Sequence, residues 1–360
     1  EDIVCSWASK KINRAIKWVA ERSESFLTDI HGRDHVTHAE LAVTNDGKFL
    51  GFKNETIANL GAYARVFGTV TPTYLFGPCA TGVYEIPAAY SNVKAVFTNT
   101  APVDAYRGAG RPEATYVTER LVEAAAEVTG IDSIELRKIN FIQPDQFPYN
   151  SPGTLTYDSG DYEATLNSAL KSINYNEFKE RKKQSQDNGK LRGLGISCYI
   201  EACGVAPSKL TLEAGGRGGY YESSTVRINP TGSVTVFTGS HSHGQGHETV
   251  FAQIVHEKLG VPFDSIDVVH GDTGRVPFGV GTVGSRSLAV GGPALMRSID
   301  KIIDKGKKIA AHLLDTSYDE ITFKDGEFSV SNSNKFIAFS DVVGAAYVPG
   351  NYPIETLEPG

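Results

Sequence analysis

The 360-residue sequence holds a single methionine, Met296, only two tryptophans and four cysteines, and no long uninterrupted apolar run. Without a stretch of about 20 apolar residues there is no helical segment to span a bilayer. No secretory leader is visible either. Cys5, Cys79, Cys198 and Cys203 are scattered and lack C-x-x-C spacing, so free, mostly buried thiols are expected rather than disulfides or a metal site. Reduced thiols point to a cytoplasmic protein. Positive charge is also scarce. The formal net charge is -7, which excludes a general nucleic-acid binder held by Lys and Arg. What remains, 40% hydrophobic and 21% charged residues, describes a globular chain long enough for two domains. It opens on Glu1 and closes on the turn-like Glu358-Pro359-Gly360, so a segment of a longer polypeptide is expected.

Local patterns set out the elements. Glu1 to Lys11 reads as the end of a helix, and after Asn13-Arg14 a strand is expected over Ala15 to Val19. Alternating runs from His35 to Val43 and from Phe49 to Ile57 flank Asn45-Asp46-Gly47, which predicts a hairpin. Val93 to Thr98 predicts a further strand. Ala114, Val117, Leu121, Ala124, Ala125 and Val128 then recur at helical spacing, with Pro112 suited to the first turn and Gly130 to the end. Helical patterns resume after residue 160 and run to about Asp187, with Lys179 to Lys183 as a solvated face.

Beyond Lys190 the texture changes. Gly193 to Ile200 reads as a strand, residues 215–219 as a flexible loop, and Val226 to Ile228 with Val234 to Phe237 as a second hairpin about Asn229-Pro230-Thr231-Gly232. Leu295, Ile299, Ile302, Ile303, Ile309, Leu313 and Leu314 form the core face of a long helix. Two domains are expected, 1–188 and 189–360. Strands and helices mix without steady alternation, so the fold class is α+β.

Three glycine-rich segments carry the chemistry. In the first, Ala105 to Glu113, Arg107 and Arg111 flank Gly108, Ala109 and Gly110 ahead of a helix. Glycines let backbone approach a ligand, a helix N-terminus offers N–H groups to an anion, and arginine adds a charged fork. The second, Thr238 to Glu248, lies between a strand and a helix and includes Gly244, Gln245, Gly246 and His247. Gln245 can both donate to and accept from a heteroatom-rich ligand. His241, His243 and His247 also admit a zinc-hydrolase reading, although no acidic residue in the motif completes the set. The third, Phe278 to Ser287, satisfies G-x-G-x-x-G at Gly279, Gly281 and Gly284. A dinucleotide fingerprint must directly follow a strand and open a helix. Here Val268-Val269 ends well before the loop and Gly291-Gly292-Pro293 is expected to delay the helix. A NAD-dependent dehydrogenase using residues 279–284 stays open as an alternative, as does a non-catalytic scaffold with a degenerate cleft.

In their order, the three loops resemble the molybdenum hydroxylase family of xanthine dehydrogenase, aldehyde oxidoreductase and aerobic carbon monoxide dehydrogenase large subunits. The resemblance rests on Phe97 to Glu113, Gly244 to His247 and Gly281 to Ser287, with Tyr84-Glu85-Ile86-Pro87 and Arg33-Asp34-His35 in support. It implies two mixed cofactor-binding domains, truncated at both ends, that hold molybdenum as molybdopterin cytosine dinucleotide. It also implies hydroxylation of an aldehyde or N-heterocycle with oxygen from water. Electrons would leave to a 2Fe-2S small subunit and a FAD medium subunit, in an assembly such as a dimer of heterotrimers.

By the same resemblance, Arg107, Gly108 and Ala109 lie beside molybdenum, where Arg107 has the catalytic, orienting role. Gly244, Gln245, Gly246, His247, Thr282, Val283, Gly284, Ser285 and Ser287 contact the cofactor. No side chain ligates the metal directly. Carbon monoxide dehydrogenases have a copper-binding cysteine where this chain has Gly108, and purine oxidisers have an arginine where it has Leu75. The family's Phe-Gly-Gly loop would precede Glu1, which would be its following glutamate. The general-base glutamate would follow Gly360, so residues 1–360 alone are expected to be inactive.

Overall fold

Asn45-Asp46-Gly47 reverses the chain as expected. Gly47 takes φ +90 and donates to Thr44 O, closing β1 (His35–Val43) onto β2 (Phe49–Asn59) as an antiparallel pair. In this computed structural model, residues 1–204, 208–213, 215, 217, 220–348, 350–353 and 355 are described. Two compact units emerge, Glu1–Glu201 and Ala202–Gly360. Gly216, Gly218 and Gly219 of the expected flexible loop, and Glu358 to Gly360, lie outside the described residues.

In the first unit, α1 (Asp2–Ile12) and α2 (Arg22–Thr28) precede the hairpin, and β3 (Ala89–Val96) adds to β2 in parallel. The strand expected over Ala15 to Val19 does not form. Those residues have no partner strand to take up their backbone groups. From β3 the chain enters the 105–110 loop and then α3 (Arg111–Thr129), which packs against β1. The helices α4 (Ser133–Asn140), α5 (Tyr162–Ser172) and α6 (Phe178–Asp187) and the short pair β4 (Tyr149–Asn150) and β5 (Thr156–Tyr157) complete the unit.

The buried face of α3 is rotated from the expected stripe. Ala114, Thr118, Glu119, Val122, Ala125 and Ala126 face inward, while Val128 is 83% exposed and Ala124 is exposed. Ion pairing causes the rotation. Buried Glu119 accepts from Arg137 Nη2 at 2.9 Å, from Tyr84 Oη and from Cys198 N, and Arg137 is fully buried. Buried charge is tolerated only with such partners, so the helix turns its carboxylate in. The same network holds residues 193–200. These form no strand, contrary to the pattern: Glu119 accepts from Cys198 N and Arg137 Nη2 donates to Ile196 O, so side chains rather than a neighbouring strand take up these backbone groups.

The second unit starts again from a hairpin. After α7 (Ser208–Glu213), β6 (Ser224–Ile228) pairs antiparallel with β7 (Val234–Thr238). From β7 a glycine loop leads into α8 (His247–Leu259), which returns the chain to β8 (Ile266–Val269), parallel to β7. A second glycine loop leads to α9 (Gly292–Leu314). The strands β9 (Ile321–Lys324), β10 (Glu327–Val330) and β11 (Phe336–Ala338) and α10 (Phe339–Ala346) close the unit. Val234, Val236, Phe251, Val255, Leu259, Leu295, Ile299, Ile309 and Phe328 form one core. Leu313, expected there, is 37% exposed.

Both units thus carry an antiparallel hairpin extended by one parallel strand that feeds a glycine loop and a long helix. The class is α+β, as the element mixture predicts. Cys5, Cys79 and Cys198 are free thiols, of which only Cys79 is buried, whereas Cys203 is exposed. No described helix is long and apolar enough to cross a membrane.

Candidate functional site

The first-unit loop is held by its base and its carbonyls. Buried Asp104 accepts from Phe67 N and Ala105 N, both at 2.8 Å, anchoring the chain where the loop begins. Gly108, Ala109 and Gly110 then take φ of +94, +40 and +89 in succession. At Gly110 the requirement is steric as well as conformational. A Cβ there would stand 2.5 Å from Thr71 O and 2.7 Å from Leu75 C. Leu75 therefore borders this loop through its backbone.

The N-terminus of α3 is not open to a ligand in the simple way expected. Gly110 N already donates to the Glu113 carboxylate at 2.9 Å, so the helix caps itself. The groups left over lie earlier: Tyr106, Arg107 and Gly108 N–H have no acceptor among the described residues. Arg107 itself is exposed.

The structure brings the other two loops together within the second unit. Gly239 and Gly279 cross so closely that a Cβ on either would lie 2.2 Å from the other's Cα. Thr282 Oγ1 donates to His241 O at 2.5 Å and lies 3.1 Å from Ser287 Oγ. Gly244 and Gly246 have φ of +95 and +80, and Gly281 has +81. A Cβ at any of the three would meet open space. Gln245 folds back on its own loop, its Oε1 accepting from His243 N at 2.5 Å, which leaves its amide nitrogen as a donor.

Gly284 and Ser285 take positive φ of 62 and 51, and Gly284 O accepts from Gly204 N at 3.0 Å. Helical structure starts at Ser287, as a π-turn over Ser287–Gly291 that runs straight into α9, so the expected delay after the loop is absent. A strand still does not precede the loop directly, because β8 ends at Val269.

The sequence reading missed what holds these loops. Arg286 and Glu222 form an ion pair at 2.9 Å with both side chains fully buried. Arg286 Nη1 also donates to Gly281 O, and Nη2 to the carbonyls of Tyr220 and Tyr221. Only the position of Arg286 inside the third motif signalled it. The sequence carries no comparable mark at Glu222.

His247 is buried at the start of α8, and burial pushes its imidazole below the usual value of 6.5. Loop neighbour His241 is lowered too, by desolvation and then by His243 and His270. The His241 ring centroid lies 4.8 Å from that of His243 and 5.2 Å from that of His270, whose Nε2 meets Glu248 Oε1 at 2.7 Å. Among the described residues no three His, Cys, Asp or Glu are grouped to hold a metal ion, so the zinc reading finds no site.

The depressed values have a consequence for stability. With native pKa below 6.5, the unfolded chain takes up protons first as pH falls. Stability is therefore expected to decline below pH 6.5 and to level off once the native rings also protonate. Urea unfolding between pH 7.5 and 5 should show a shallower dependence for His247→Gln than for the wild type. Equal slopes would remove His247 from the linkage.

The description "molybdopterin cofactor-binding domain" matches this chain twice, over residues 1–141 and 168–357. The carbon monoxide dehydrogenase large chain of Hydrogenophaga pseudoflava is 38% identical over 98% of this chain and 44% of its own length. The 6-hydroxypseudooxynicotine dehydrogenase complex subunit gamma of Paenarthrobacter nicotinovorans is 33% identical over 100% and 44%. Among solved structures, quinoline 2-oxidoreductase from Pseudomonas putida 86 superposes with a TM-score of 0.84 at 32% identity, covering 98% of this chain and 45% of that one. A Cu,Mo-CO dehydrogenase superposes at 0.83 and 36%, covering 99% and 46%. The chain spans less than half the length of these relatives. It belongs to the molybdenum hydroxylase family, whose molybdopterin cofactor-binding domains it carries.

Proposed function

We propose that this chain is the cofactor-binding part of a large subunit that hydroxylates an N-heterocycle or an aldehyde with oxygen from water. The observation that carries the reading is the set of unpaired or open backbone positions on the three glycine loops. Tyr106, Arg107 and Gly108 N–H lack acceptors among the described residues, and Gly244, Gly246 and Gly281 face open space. Amide donors and the amide nitrogen of Gln245 suit a polyanionic pterin dinucleotide, with Ser285 beside them, while Thr282 and Ser287 shape the loop through their hydrogen bonds to each other and to His241 O. These residues fit molybdopterin, and the cytosine dinucleotide form is part of the proposal.

When bound, such a cofactor supplies two-electron oxidation at molybdenum. The chain contributes binding and orientation. Within the first unit, Arg107 and the 106–108 amides would present positive dipoles to an anionic group of the cofactor. Within the second, Gln245, His247 and the 282–287 loop, Val283 and Gly284 included, would supply further contacts. Gly108 offers no thiolate for copper, which disfavours carbon monoxide as substrate, and Leu75 offers no hydrogen bond to a purine oxygen. Iron–sulfur and FAD subunits as electron acceptors, a dimer of heterotrimers, a cytoplasmic location and the division into cofactor-binding parts 1–188 and 189–360 belong to the same proposal.

The test is elemental and nucleotide analysis of the full-length protein purified with its natural partners. Molybdenum near one atom per large subunit, with CMP released on acid treatment, is expected. Bound nicotinamide, or neither group, overturns the reading.

A further inference from the structure

We propose that Arg33 is a positioning residue that fixes the orientation of the Arg107–Gly108 peptide and so aims the Gly108 N–H at the cofactor. The inference rests on the function proposed above. It starts from segment 31–33, which lies directly against the loop. His31 N donates to Pro102 O, Asp104 N donates to His31 O, and His31 forms a parallel bridge with Val103. Gly32 lies so close that a Cβ would meet Tyr106 Cβ at 2.5 Å. Arg33 follows in the left-handed region, φ +60, an uncommon conformation for a side-chain-bearing residue.

From that position Arg33 makes three contacts with one loop. Its Nη2 donates to Arg107 O, its Nε lies 3.5 Å from Glu113 Oε1, and its guanidinium sits 4.8 Å from the Tyr106 ring centroid. The other Glu113 oxygen receives Gly110 N. Arg33 and Glu113 thus clamp the loop from both sides of its tip.

The orientation matters because a trans peptide is planar, so its C=O and the next N–H point in opposite directions. With Arg107 O drawn to Arg33, Gly108 N–H points away from Arg33, and no described acceptor meets it. Gly108 has φ +94, and a peptide flip would carry φ into the equally accessible negative region of glycine. In the flipped state a carbonyl oxygen would replace the N–H and face the anionic ligand. The hydrogen bond from Arg33 selects between the two states. Methionine retains bulk at position 33 but has no donor, whereas lysine keeps one donor and the charge.

The experiment compares wild type, Arg33→Met and Arg33→Lys of the full-length large subunit assembled with its partners. Crystal structures report the peptide directly. The wild type is expected to show Arg107 O toward Arg33, the Met variant a flipped or mixed peptide, and the Lys variant the wild-type orientation. Molybdenum content is expected to stay within about twofold in all three, while the Mo(V) resonance shifts and kcat falls about 10- to 100-fold in Arg33→Met, with partial rescue by lysine. Quinoline and benzaldehyde serve as probe substrates.

An unflipped peptide in Arg33→Met overturns the inference, as does an unchanged Mo(V) signal in a molybdenum-loaded variant. If Arg33→Met fails to fold, the Lys variant decides: a flipped peptide there, with charge and one donor retained, also overturns it. Wild-type protein without molybdenum would instead defeat the functional reading, and the peptide orientation would still decide the role of Arg33.

Discussion

Replacing Arg286 with methionine is expected to destabilise the second unit by about 3–5 kcal/mol, because it strands a buried carboxylate. Glu222 and Arg286 are both fully buried, and the neutral donors Ser223 N and Ser240 Oγ that also reach Glu222 do not compensate its charge. Three carbonyls, Tyr220, Tyr221 and Gly281, also lose their donor. The urea midpoint should drop markedly in Arg286→Met, and the double variant Arg286→Met/Glu222→Leu should regain much of the loss. Removing both charges deletes the desolvation cost together with the attraction, which is why the double change is milder. A single variant within about 1 kcal/mol of wild type would show that the pair is not what holds the 281–287 loop.

Gly110→Ala should have an effect of comparable size in the first unit. The left-handed backbone at φ +89 is strained for alanine. The added Cβ would meet Thr71 O at 2.5 Å, Leu75 C at 2.7 Å and Phe76 N at 2.8 Å, all main-chain atoms. Strain and overpacking together cost about 2–5 kcal/mol. The expected result is a lower melting temperature and displacement of the 105–110 loop from residues 71–76. Gly130→Ala, at the other end of α3, is the control. It also has positive φ, +74, but its Cβ would meet nothing within 4 Å, so about 1–2 kcal/mol is expected. Equal losses at both positions would mean that close packing at Gly110 contributes nothing.

Both predictions turn on features that hydropathy does not encode. The glycine loops were legible because positive φ and close approach leave a residue-type mark, and the hairpins because their turns carry Asn, Asp, Pro and Gly. Ion pairs in the interior leave no such mark. Glu119 reads as a solvent residue on α3, yet Arg137 on α4 draws it inside, and the helix face turns with it. Residues 15–19 and 193–200 have β-prone composition but no adjacent strand. Alternation specifies an extended backbone, and only a partner makes it sheet. Arg107, Gln245 and Gly284 were nominated by their motifs. Arg33 and Glu222 were harder to place, because they act through carbonyls and buried charges of segments distant in the chain.

That distance bears on the order in which the molecule comes into being. The 239–247 loop depends on Thr282, 41 residues after His241, and the segment around Glu222 depends on Arg286, 64 residues later. A growing chain that has reached only the end of α8 has strand, loop and helix in sequence but not the crossing that sets the loop's shape. Until Ser287 has cleared the ribosome, no ligand can find the arrangement described for that unit. Whatever those loops hold in this arrangement therefore meets a chain already synthesised past that point.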